Sequence, residues 1–129
     1  MWNIDAAVGK NKPNKPDDVR LVQTMLIAIV ASARTSPVMV PYGITATGTF
    51  DSRTEDLIKG FQTTMNQKYP GKYRSDGVVT PMHSPERVDW TLRSSDGGSS
   101  TMAALNFVLR TQSKEAHQSI GVKLAERLL

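Results

Sequence analysis

The chain has 129 residues, 39% hydrophobic and 22% charged, with 16 Lys and Arg against 12 Asp and Glu, a formal charge of +4 and no cysteine. That length suits one domain, and the missing cysteines exclude a disulfide framework, a zinc ribbon, an iron–sulfur cluster and a thiol nucleophile. The longest apolar stretch, Met25 to Ala33, falls short of the ~20 residues that span a bilayer, and Met1-Trp2-Asn3-Ile4-Asp5 does not read as a signal peptide.

The first fifteen residues show no period and read as an irregular lead-in. Asn14-Lys15-Pro16-Asp17-Asp18 marks a helix start, where either aspartate can accept from free backbone N–H groups. Val19, Val22, Leu26, Ile29, Val30 and Ala33 then recur at steps of three and four, and Leu21, Met25 and Ile27 widen the stripe. This helix should end before Pro37. Residues 34–50 form a connector rich in Thr, Pro and Gly, with room for at most a short extended piece at Val38-Met39-Val40.

Asp51 can cap a second helix, and Ser52 with Glu55 fits the spacing of a reciprocal capping box. Leu57, Ile58, Phe61 and Met65 share one face, Gly60 suggests a close approach, and Pro70-Gly71 ends the run. From Lys72 to Ser100 the pattern is irregular, with turn signals at Asp76-Gly77 and Asp96-Gly97-Gly98. Between them Val88, Trp90 and Leu92 alternate with polar residues, the one strand-like stretch. Ser100 or Thr101 opens a third helix with Met102, Leu105, Val108 and Leu109 on its buried side. Beyond it, Ala116, Ile120, Leu124 and Leu128 recur at four-residue steps. The expected fold is mainly α: a compact helical bundle with long ordered connectors and an additional C-terminal helix.

Residues that could support catalysis are sparse. His83 and His117 are the only histidines and have no metal-ligand spacing. Phosphate-cradling, dinucleotide-binding and nucleophile-elbow motifs are missing from the sequence, so no cofactor and no metal are expected. Asp51, Glu55 and Asp56 resemble a carboxylate group for sugar hydrolysis, yet helix capping accounts for Asp51 and Glu55. The basic residues are scattered among acids, which argues against a nucleic-acid track. The expectation is a protein that is not an enzyme.

A small pattern repeats along the chain. Val22-Gln23 in the first helix is echoed by Phe61-Gln62 in the second; Gly48-Thr49-Phe50-Asp51 stands ahead of the second helix and Asp76-Gly77-Val78-Val79 comes after it. Each glutamine adjoins a core-facing residue and can satisfy backbone groups of a connector, sparing a buried polar penalty of ~1–3 kcal/mol. With Asp18, Val19 and Leu26, then Thr54, then Pro81, this order resembles the bacterial peptidoglycan-binding-like domain family, a three-helix module. The resemblance covers about residues 8–82. The residues that carry it and define the fold are Val19, Gln23, Phe50, Asp51, Thr54, Phe61, Gln62, Asp76 and Gly77.

The resemblance implies one domain over residues 1–129. Its core would be 8–82 plus 101–111, interrupted by an insertion at 83–100 and followed by a helical extension at 112–129. Thr47 stands where the family carries an aspartate before the first glycine. The implied function is non-catalytic binding of peptidoglycan or a fragment of it in a groove where the connectors meet. Tyr42, Tyr73 and Trp90 are the aromatics expected to be exposed there, with Arg53 and Arg74 facing anionic groups. An alternative reading reuses the fold as an accessory component of a secretion or phage-like system, with a protein partner or a second copy docking through residues 113–129. With no signal peptide recognised, synthesis is expected in the cytoplasm, with leaderless export as the route to periplasm or wall.

Overall fold

A computed structural model describes residues 2–32, 45–70, 73, 75–82 and 101–112 of the chain. Among these residues it is mainly helical: α1 is Pro16–Ser32, α2 is Ser52–Lys68 and α3 is Thr101–Gln112. The strand expected around Trp90, the extended piece at 38–40, the insertion at 83–100 and the segment from residue 113 onward lie outside the described residues.

The helix starts follow local chemistry, with two corrections. Pro16 opens α1 at the position where its missing N–H is no loss. Asp18, however, does not serve the helix terminus. Its carboxylate is turned inward and accepts from the backbone N–H groups of Asp5 and Ala6 at 3.1 and 3.0 Å. Asp17 stays outside and pairs with Arg20 at 3.5 Å. In α2 the cap is Asp51, which accepts from the Thr54 N–H and hydroxyl at 2.8 Å each. Ser52 is therefore already the first helical residue, and Glu55 pairs with Lys59 at 3.6 Å instead of closing a capping box. The helix ends at Lys68, where the Tyr69 N–H still reaches the Met65 carbonyl.

Burial follows the 3.6-residue period. Val19, Val22, Met25, Leu26 and Ile29 of α1 join Leu57, Ile58, Phe61 and Met65 of α2 in one core. Met102, Leu105 and Leu109 of α3 complete it, while Val108 is only half-buried. The central helix is α1, which packs against both others and more extensively against α3.

The lead-in is more ordered than its lack of period suggests. Ile4 and Val8 are buried, so the core extends ahead of residue 8. Val8 and Val79 exchange both backbone hydrogen bonds as an isolated antiparallel bridge, at 2.9 and 2.8 Å. Between Gly9 and Asn14 the chain makes a tight turn, with Asn11 and Asn14 in the left-handed region at φ +61° and +49°. Asparagine tolerates that region, and Asn14 holds both the N–H and the carbonyl of Gly9 at 2.8 Å.

Candidate functional site

The most developed polar feature is a pair of glutamine brackets that join each helix to the next. Gln23 of α1 is 1% exposed; its Oε1 accepts from the Gly48 N–H at 2.9 Å. Its Nε2 donates to the Thr49 carbonyl and to the Thr54 hydroxyl, both at 3.0 Å. Gln62 of α2 repeats this one helix later. It is also 1% exposed, accepts from the Gly77 N–H at 2.9 Å, and donates to the Val78 carbonyl at 3.0 Å and the Thr101 hydroxyl at 3.1 Å. In both places a helical amide grips a glycine turn and the first turn of the following helix.

The two turns correspond residue by residue. Asp76 Oδ1 accepts from the Val78 N–H at 3.0 Å and from Gln62 Nε2 at 3.2 Å. Thr47 supplies the same service with a hydroxyl, accepting from the Thr49 N–H at 3.1 Å and meeting Gln23 Nε2 at 3.5 Å. A neutral hydroxyl acceptor thus stands in the first turn where Asp76 supplies a carboxylate in the second. Gly48 and Gly77 have φ of +82° and +72°, a region that disfavours any Cβ. A Cβ on Gly48 would also stand 3.2 Å from the Pro16 carbonyl oxygen, a backbone atom that cannot rotate away.

Besides Asn14, three further asparagines use the same chemistry, none of them singled out for it by the sequence. Asn3 exchanges hydrogen bonds with the backbone of Met82, Asn66 with that of Tyr73, and Asn106 with that of Trp2. Asn106 Nδ2 also reaches the Met102 carbonyl at 2.9 Å. A side-chain amide offers an acceptor and two donor hydrogens, so it can replace a strand partner for one residue of irregular chain. The available signal was the position of Asn66 and Asn106, each four residues after a buried side chain.

The residues proposed for ligand contact are divided. Arg53 is exposed on the first turn of α2, beside Asp51. The Asp51 carboxyl is held below the usual range mainly by the Thr54 N–H and hydroxyl, with a contribution from the Arg53 charge. Tyr73 is not exposed as expected; it is 7% exposed and packs in the core. Burial pushes its phenol up to about 12. Its backbone is fixed by Asn66, so this connector turns the ring inward. Tyr42, Arg74 and Trp90 lie outside the described residues, as do His83 and His117.

A second surface feature is a groove of about 160 Å³ between the end of α2 and the second half of α3. Met65, Lys68, Tyr69, Phe107, Val108 and Thr111 line it. Among the described residues no group of three acidic, His or Cys side chains is placed to hold a metal ion, and no helix is long and apolar enough to cross a membrane.

Comparison with known proteins adds no identity: no family model, no curated protein and no solved structure matches the chain.

Proposed function

We propose that this chain is a non-catalytic binding module for bacterial cell-wall peptidoglycan. The observation that carries the reading is the pair of glutamine brackets. The sequence positions that resemble the peptidoglycan-binding-like family are the ones that build a repeated scaffold, from Gln23, Gly48 and Thr54 to Gln62, Gly77 and Thr101. Such a scaffold holds the two glycine turns through buried glutamines. The surface beside them is left for a ligand.

Saccharide rings stack on exposed aromatic faces, and the lactyl and peptide carboxylates of murein suit a basic protein with arginine forks. Arg53, exposed at the start of α2, is the described side chain offered to such a carboxylate. Tyr42, Arg74 and Trp90 complete the proposed contact set. Tyr73 is withdrawn from it, because a ring buried in the core cannot stack on a sugar.

Sedimentation with insoluble peptidoglycan tests the reading. The chain should be retained well above a control protein of the same size and net charge. Arg53→Glu should weaken retention and Trp90→Ala should weaken it further, with the helical circular dichroism of both unchanged. Retention no greater than that of the control overturns the proposal.

A further inference from the structure

In the groove between α2 and α3, Met65 is buried, Tyr69, Phe107 and Val108 are half-buried, and Lys68 and Thr111 are exposed. Its volume of about 160 Å³ is well under the ~300–1,000 Å³ of sites that enclose a whole small molecule. It therefore fits one ring face with a short substituent. Lys68 has no ion-pair partner among the described residues, and neither α3 nor the second half of α2 carries an Asp or Glu. Arg110, beside the lining residue Thr111 in the chain, is a further exposed cation.

A matching occupant must bring an apolar face and a negative charge. A second copy does not suit: a two-fold contact sets the same patch on both sides, so Lys68 and Arg110 would meet their own duplicates. A saccharide does suit. The C–H face of its ring stacks on the electron-rich faces of aromatic side chains such as Tyr69 and Phe107. The Thr111 hydroxyl donates to the Phe107 carbonyl at 2.7 Å, which leaves its oxygen to accept from a sugar hydroxyl. An acetamido methyl matches the apolar Met65 and Val108, and a carboxylate on the sugar matches Lys68.

We infer that this groove is a subsite for one N-acetylated sugar bearing a carboxylate, the chemistry of the lactyl-ether sugar of peptidoglycan. The choice of ligand rests on the wall-binding reading above. The place does not, since it lies at the opposite end of α2 from Arg53.

The full chain, labelled with nitrogen-15, is titrated with N-acetylmuramic acid and separately with N-acetylglucosamine, which has the same ring and acetamide but no lactyl carboxylate. Amide shifts should concentrate at Lys68, Tyr69, Phe107, Val108 and Thr111, with the acid bound about two- to fivefold more tightly, the worth of one exposed ion pair. Lys68→Gln, an exposed change at a helix end, should bring the acid down to the level of the neutral sugar and leave the neutral sugar unaffected. No response at these residues, or equal affinity for the two sugars in the parent chain, overturns the inference. Groove resonances that move with protein concentration and not with sugar assign the groove to a second copy and overturn it too. Contacts from Phe107 or Val108 to residues 113–129, with no sugar response, assign it to the chain itself with the same result. Sedimentation with insoluble peptidoglycan separates the two readings. Retention with a silent groove overturns the subsite and leaves the wall reading, whereas a groove response without retention overturns the wall reading and leaves an acidic-sugar site.

Discussion

Gln23 and Gln62 each match one buried acceptor and two donor hydrogens to a turn that presents a glycine N–H, a neighbouring carbonyl and a threonine hydroxyl. Replacing either with leucine keeps the volume and discards every one of these bonds. The stranded groups include a buried glycine N–H, and leaving such groups unsatisfied costs ~1–3 kcal/mol apiece. Gln62→Leu and Gln23→Leu are each expected to lower stability by about 2–4 kcal/mol in urea unfolding. Because the two brackets are built alike, the two losses should be similar. A loss below about 0.5 kcal/mol, the level of an ordinary surface change, would show that the brackets do not hold the glycine turns.

The helices take their limits from single residues at their ends. Asp51 caps α2 and its ionised form is favoured by the Thr54 N–H and hydroxyl, which hold its pKa below 3.8. A carboxyl with a depressed folded-state pKa contributes stability above its unfolded value. That contribution fades as pH falls through the folded one. Asp51→Ala should therefore cost about 1 kcal/mol near neutral pH, the usual worth of an N-cap. The gap between variant and parent should narrow as pH falls below the ordinary aspartate range and the parent carboxyl becomes protonated as well. Thermal unfolding of both proteins between pH 2 and 7 measures this. A gap that stays constant over the range would mean that the carboxylate charge plays no part in the cap.

At the scale of the molecule, the lead-in acts as a strap that closes the bundle. Trp2 is held by Asn106 of α3, Asn3 by the backbone of Met82, Asp5 and Ala6 by Asp18 of α1, and Val8 by Val79. Ile4 and Val8 are core residues as well. Deleting residues 1–8 should lower the urea midpoint by more than either glutamine variant does, because apolar burial and several backbone bonds go together. An unchanged midpoint would show that the strap adds nothing to the fold.

Helix positions and their buried faces were legible in the sequence. Periodicity is a local property, and Leu57, Ile58, Phe61 and Met65 face the core because residues three and four apart share a helical side. The glutamine brackets were partly legible, since each Gln sits beside a core residue and each partner turn carries a Gly. The strap was not. Ile4 and Val8 have no period, and the bond between Trp2 and Asn106 joins positions 104 apart in the chain. Nor could spacing show that Asp18 turns inward or that Tyr73 is buried, because both outcomes depend on which irregular segment lies across the helix ends. Sequence determined the helices and their faces, since these follow from contacts within a few residues. Tertiary structure decided which side chain serves which stretch of irregular backbone, because an unpaired N–H or carbonyl finds its partner only once distant segments are folded together.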